Sequence, residues 1–238
     1  MEKITKLLDI PQYEQRSDMW FNQRKNKLTS SDAATVLGIN PYSKPEEVLF
    51  RKCGHDIKPF SGNIATRHGQ KYEDEAIEKY CDLTNQKNYN FGLISHKEVY
   101  NTDDYYWLAG SPDGIAIEEG KEPVLLEVKC PYKRKIIMGY IPEYYVPQVQ
   151  LNMFICNLNV ADFIEYLPPD KMNIVRVYRN QQWLDDNLPK LKIFWESVEY
   201  YRKNDVKKHP KFPKEKKNID ISDSLDEPEL LNIFSIRE

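Results

Sequence analysis

The sequence predicts an α/β domain in which a central mixed sheet is flanked by helices. Three observations carry this. Residues from about 20 to 88 read as short capped segments with apolar residues at helical spacing. From about Asn90 the texture turns strand-like and culminates in the apolar run PVLLEVKC. A helix-forming stretch, PQVQLNMFICNL, then separates that run from a further strand, VADFIEYL. Helices interleaved with strands in this way build layered α/β architectures.

Taken in order, Thr29, Ser30 and Ser31 precede DAATVLG as an N-cap cluster that opens a short helix stopping at Gly38. NPYSKP is a loop. PEEVLFRKCG is a second helix, with Pro45 at its start and Gly54 at its end. In ATRHGQKYEDEAIEKYCDLT, Tyr72, Ala76, Ile77 and Tyr80 recur on one helical face, and Glu73 falls beside it. FGLISHKEVY, YYWLAGSPDGIAI and PVLLEVKC are strand-like, with EEGKEP as the hairpin turn between the last two. A helix begins near Pro147, and VADFIEYL and NIVRVYRN are two more strands. QQWLDDNLPKLKIFWESVEYYRKND is a long amphipathic helix in spite of Pro189. The expected organisation is one domain over 1–205, with a helical part to 88 and the sheet and its helices over 89–205. A tail over 206–238 follows, Pro-containing and turning from basic to acidic.

With 238 residues, 40% of them hydrophobic, the chain is long enough to bury a sizeable core. Its 34 Lys and Arg against 37 Asp and Glu, net charge -3, argue against broad coating of a polyanion but leave room for a local basic groove. No apolar run approaches the roughly 18 residues of a membrane span, and MEKITKLLDI lacks the apolar core of a secretory signal. The four cysteines, 53, 81, 130 and 156, show no CxxC spacing, which disfavours a zinc ribbon. Cys130 and Cys156 sit in apolar contexts as small buried hydrophobes, and free thiols suit a reducing compartment. The expected location is intracellular.

The stretch AGSPDGIAIEEGKEPVLLEVKCPYKR carries the chemistry. On a strand, side chains alternate between faces, so Glu127 and Lys129 point one way and Leu126, Val128 and Cys130 the other. Asp113 immediately precedes GIAI, which the turn would pair with LLEVK, so three charged groups converge at one end of a hairpin. Two carboxylates supply hard oxygen ligands for Mg²⁺ and leave water positions open. A neighbouring lysine can orient water, stabilise negative charge, or act as a base if its surroundings lower its pKa. Taken alone, D-x13-E-x-K also fits an ordinary surface hairpin with a Glu–Lys pair. The SPDG turn and the apolar frame of LLEVKC favour the site.

With these motifs the chain resembles the PD-(D/E)xK nuclease superfamily, and more closely its lambda-exonuclease and viral alkaline exonuclease branch, the YqaJ-type viral recombinases. The matching segments are W…R24 with LTSSDAA, RHGQKYEDEA, AGSPDG, LLEVKCPYK and YYVPQVQLNMF, in the family's order over roughly residues 20–155. The resemblance implies a restriction-endonuclease-like core. It implies Asp113 and Glu127 as metal ligands, Lys129 as the catalytic lysine, Glu73 as a further acidic residue near the metals, and Gln148 as a side chain reaching the site from a helix. Gln150 projects from a different face of that helix. Arg24 and Ser31 resemble a pair that grips the 5′-phosphate of a DNA end, with Ser30 one residue away as a competitor. An arginine gives a charge-assisted grip, and a hydroxyl at a helix start sits where phosphate is favoured. Lys133 and Arg134, with Lys135, follow the catalytic strand, where they would track the DNA backbone or form a solvated basic turn.

The activity implied is a Mg²⁺-dependent exonuclease, with Mn²⁺ as a substitute and two ions expected. It would degrade linear duplex DNA 5′→3′, release 5′-mononucleotides and leave 3′ single strands for recombination. The implied partners are double-stranded DNA ends, a single-strand-annealing recombinase and copies of the chain itself in a trimer. A structure-selective or restriction-type endonuclease on the same fold, and a non-catalytic DNA-end-binding protein, are the alternatives.

Overall fold

The structure, a computed structural model, describes residues 2–56 and 62–213. The chain opens with α1 (Glu2–Leu8) and α2 (Asp18–Lys25). Ser17 caps α2, its Oγ accepting the Trp20 N–H at 3.2 Å. The TSSDAATVLG segment divides more finely than the sequence suggests: β1 (Leu28–Thr29), a 3-10 turn (Ser30–Asp32) and α3 (Ala33–Val36), ending before Gly38 at φ 74°. The expected hydroxyl cap is not made, because Thr29 Oγ1 instead donates to Asp32 Oδ2 at 2.7 Å. α4 (Pro45–Lys52) has proline in its first turn and is followed by Gly54 at φ 85°. α5 (Ile64–Thr84) is capped by Asn63, whose Oδ1 accepts the Thr66 N–H at 2.8 Å.

The strands and remaining helices follow: β2 (Lys87–Tyr89), β3 (Ile94–Ser95), α6 (His96–Tyr100), β4 (Leu108–Gly110), β5 (Gly114–Ile117), β6 (Val124–Lys129), α7 (Val146–Ile155), β7 (Val160–Leu167), β8 (Lys171–Tyr178) and α8 (Gln181–Lys203). FGLISHKEVY is therefore not one strand. Only Ile94–Ser95 is extended, and HKEVY winds into α6, where the His96 and Tyr100 rings stack 4.3 Å apart beside Phe154. The main sheet has order β2-β5-β6-β7-β8. It is mixed: β6 and β7 run parallel and the other neighbours antiparallel. α7 makes the crossover that a parallel pair requires. A smaller sheet, β1-β4-β3, lies beside it, with β1 parallel to β4.

Alternation along β6 splits the core into two layers. Leu125 joins Ile115, Phe163 and the α7 residues Leu151 and Met153, over which α8 lays Leu184, Leu188, Leu191, Trp195 and Val198. Leu126, Val128 and Cys130 face the other way, onto Ala76, Ile77 and Tyr80 of α5. Each fully buried aliphatic side chain contributes about 1.5–3 kcal/mol, so a one-residue slip of β6 is heavily disfavoured. The site described below depends on that register. The packed chain also runs past the boundary expected at 205. Val206 is buried, and the Phe212 ring meets Phe50 at 5.1 Å. From 214 on, the tail lies outside the described residues.

Candidate active site

Asp113 sits one residue before β5 and continues its pairing with β6. Its N–H donates to the Leu126 carbonyl at 3.2 Å, and its Oδ2 accepts the Val128 N–H at 2.7 Å. The carboxylate is thus fixed by backbone on both sides of Glu127. Lys129 Nζ donates to Glu127 Oε1 and lies 3.9 Å from Asp113 Oδ2. One ammonium therefore bridges two carboxylates carried by paired strands, as strand alternation and the hairpin require.

Glu127 is completely buried on the face covered by α7. Burying a carboxylate is costly unless its oxygens are satisfied. Gln148 Nε2 donates to Oε1, and Asn152 Nδ2 donates to Oε2 at 3.1 Å. These two residues lie one helical turn apart on α7 and so share a face. Gln150 turns elsewhere, onto the Tyr178 carbonyl and the Asn180 N–H. Burial pushes the Glu127 carboxyl up to about 7, with the Asp113 charge adding to this and Lys129 opposing it. For Lys129, burial alone would lower the pKa. Glu127 and Asp113 outweigh it and hold the group as an ammonium above its ordinary range.

Glu73 approaches from α5, on the opposite side of the sheet. Burial, then the nearby Asp113 charge, pushes its carboxyl up to about 7. Arg16, left-handed at φ 70°, grips it with Nη2 at 3.1 and 3.3 Å from the two oxygens. Arg16, Glu73, Lys129, Tyr132 and Tyr145 line a cleft of about 510 Å³. Among the described residues no three His, Cys, Asp or Glu side chains cluster closely enough to hold a cation by themselves. Two carboxylates with open water positions nevertheless suit Mg²⁺, which commonly takes one or two protein carboxylates and completes its shell with water and phosphate. Asp113 and Glu127 fit one such ion, and the ammonium between them occupies the place of a cation. A second ion would need Glu73, which here is held by Arg16.

The Arg24 and Ser31 pair also forms. Arg24 Nη2 donates to Ser31 Oγ at 2.8 Å and to Thr29 Oγ1 at 3.3 Å. Ser31 is exposed and Ser30 is buried, so Ser31 is the hydroxyl a ligand can reach. The guanidinium lies 4.3 Å over the Trp20 ring, whose Nε1 donates to Ser111 Oγ at 3.0 Å. Behind the pair, Asp32 takes Arg51 at 2.6 Å and Lys52 at 2.9 Å. Burial alone would raise the Asp32 carboxyl, but Lys52, Arg51 and Arg24 hold it well below the usual range. Three cations share one carboxylate, so the pocket keeps a surplus of positive charge suited to an anion.

Lys133 and Arg134 part company. Arg134 Nη2 donates to the fully buried Glu165, an ion pair that ties it to the fold. Lys133 is exposed. Four participants were given no role from the sequence, although Trp20 opens the matched W…R24 segment. Asn152 was signalled by its spacing of four from Gln148, and Trp20 by the same spacing from Arg24. Arg16 and Asp32 carried no local signal, because their partners are set by tertiary packing.

Residues 19–159 match the YqaJ-like viral recombinase domain family. Over 169 residues the chain is 32% identical to uncharacterized protein R354 of Acanthamoeba polyphaga mimivirus, covering 66% of this chain and 30% of that protein. Over 179 residues it is 30% identical to protein D345L of African swine fever virus (strain Badajoz 1971 Vero-adapted), covering 63% and 48%. The match thus spans 30% and 48% of the length of these two viral relatives. Among solved structures it is similar to an alkaline exonuclease (LHK-Exo) from Laribacter hongkongensis, with TM-score 0.64 and 21% identity over 79% of this chain and 95% of that one. A complex of LHK-Exo with dAMP gives TM-score 0.65 at 22% identity, over the same shares. A phage-related exonuclease from Haemophilus somnus 129PT gives TM-score 0.52 at 16%, over 74% and 93%. The mixed sheet and its flanking helices are the fold of the LHK-Exo alkaline exonuclease, the PD-(D/E)xK-like fold expected from the motifs.

Proposed function

Because the chain belongs to the YqaJ-like viral recombinase domain family, we propose that it is a Mg²⁺-dependent deoxyribonuclease that resects linear duplex DNA from a 5′ end. It releases 5′-mononucleotides and leaves a 3′ single strand, the substrate of an annealing partner. The observation that carries the reading is the bridging of Asp113 and Glu127 by Lys129, joined through Ser111 and Trp20 to the Arg24 and Ser31 pocket.

Each residue has a part that its contacts support. Arg24 and Ser31 hold the terminal phosphate by charge-assisted hydrogen bonds. Asp113 and Glu127 would hold the ion, and Gln148 and Asn152 fix the Glu127 carboxylate by donating to its two oxygens. An ion held there would supply Lewis-acid polarisation of the scissile phosphate. The Lys129 ammonium offsets negative charge that builds on the phosphate during in-line attack by water. Arg16 and Glu73 close the wall of the cleft opposite Lys129.

The test is digestion of a 5′-labelled linear duplex with Mg²⁺ and with EDTA, beside a closed circle. The expected result is metal-dependent release of the label as a mononucleotide with the circle intact. Lys129→Ala abolishes cleavage and retains DNA binding, and Arg24→Ala removes the preference for 5′-phosphorylated over 5′-hydroxyl ends. A nicked or linearised circle overturns the exonuclease assignment in favour of an endonuclease. Full cleavage by Lys129→Ala overturns the role given to that lysine.

A further inference from the structure

A second groove opens from the catalytic cleft, and none of the residues placed in catalysis explains it. It has a volume of about 680 Å³ and shares Asn63, Ala65, Pro131, Tyr132 and Tyr145 with the cleft, so the two are continuous. Tyr42, Tyr132, Tyr144 and Tyr145 give its walls an aromatic surface. Tyr42 meets Tyr144 edge-on at 5.9 Å, and Tyr144 meets Tyr145 at 4.5 Å. Tyr42 is 77% exposed and Tyr132 45%. Large aromatic rings left in water on a groove wall are available to a ligand with flat apolar faces. Arg67 and Lys133 stand at the rim, both exposed and without an ion pair to any described residue.

We propose that this groove is a stacking track for an unpaired DNA strand. Three features choose the occupant. The exposed rings of Tyr42 and Tyr132, beside the partly buried Tyr144 and Tyr145, offer flat apolar surface, which suits bases and is tolerant of sequence. Arg67 and Lys133 at the rim, which pair with no carboxylate among the described residues, suit the phosphates that link those bases. The continuity with the cleft places the track where strand separation by resection delivers unpaired nucleotides. A duplex does not fit this description, because its base faces are covered by their neighbours. The inference rests on the nuclease reading for the source of the strand, but not for the binding itself.

The experiment measures binding of labelled single strands to the whole chain in EDTA, where cleavage is off. Short oligothymidylate, an abasic strand of equal length and a blunt duplex are titrated in turn by fluorescence anisotropy. Stacking is worth about 1–3 kcal/mol per base, so Tyr42→Ala and Tyr144→Ala should each weaken oligothymidylate binding at least about five-fold. Tyr42→Phe and Tyr144→Phe keep the ring and should bind as wild type. The abasic strand should bind more weakly than oligothymidylate, and duplex affinity should change little in the Ala variants. A 2-aminopurine reporter should lose fluorescence on binding wild type and keep it on binding Tyr144→Ala. Equal affinity for abasic and thymidine strands, or Ala variants that bind single strands as wild type does, overturns the proposal and leaves the aromatic wall to a protein ligand. The two readings fail separately. Cleavage with no tyrosine dependence removes the track alone, and tyrosine-dependent single-strand binding without cleavage removes the nuclease alone.

Discussion

Gly110, at the end of β4, faces the fully buried Asn152 so closely that a methyl group there has no room. A Cβ on Gly110 would stand 2.2 Å from Asn152 Oδ1 and 3.3 Å from both Ile155 Cδ1 and Ser30 Oγ. Asn152 cannot simply swing away. Its other end is tied to Glu127, and it is wholly enclosed. Gly110→Ala should therefore cost about 1–3 kcal/mol, as overpacking of a rigid core does. Asn152→Ala should cost about 1–3 kcal/mol for a different reason, since the buried Glu127 loses one of its donors. The two together should not add. Once Asn152 is cut back to its Cβ, the methyl on Gly110 enters vacated space, and the double variant should be more stable than the sum by about 1 kcal/mol or more. Guanidinium unfolding of the four proteins at a common slope measures the cycle. Metal-dependent cleavage should fall in Gly110→Ala as well, although the methyl touches no carboxylate, because the displaced amide releases Glu127. Additivity within about 0.5 kcal/mol would show that the methyl is accommodated by backbone movement, and that Asn152 is not the rigid post described here.

Asp32→Asn should destabilise the chain by about 3 kcal/mol, since it strands the buried Lys52 ammonium with only the Arg24 carbonyl at 2.8 Å. Because the Asp32 carboxyl is held below its unfolded value of about 3.9, its contribution is complete above about pH 4 and is lost as pH falls below that. Thermal melts across that range should show a shallower acid dependence in Asp32→Asn than in wild type. Arg134→Ala and Lys133→Ala should separate cleanly. The first should lower the melting temperature, at a cost of about 3 kcal/mol, because Glu165 stays buried without its cation. The second should leave the melt unchanged but reduce the salt slope of DNA binding by about one.

The site's carboxylates were readable because they depend on short-range rules. Strand alternation places Glu127 beside Lys129, and one tight hairpin brings Asp113 into register with them. The capped boundaries of α4 and α5 were readable for the same reason. The stretch HKEVY misled because its apolar residues suit either period, and what selects the helix is the stack of His96 on Tyr100 against Phe154, far along the chain. Arg16 is 57 residues from Glu73, and no pattern in either segment announces the pairing. The pairing of Arg134 was not legible because VADFIEYL hides two buried acids of different outcome, Asp162 taking Arg176 from the neighbouring strand and Glu165 taking Arg134 from the loop after β6.

Trp20 touches both halves of the functional reading at once. Its ring lies under Arg24, its indole N–H is fixed on Ser111, and Ser111 is two residues from Asp113. Between the place that grips the chain end and the place that cuts, the protein has interposed one nearly buried, flat, inextensible piece. Under the proposed function that piece is a ruler. The fragment released at each turnover is then defined by a fixed span in the protein rather than by the sequence of the substrate, and a uniform product length becomes a property of the indole.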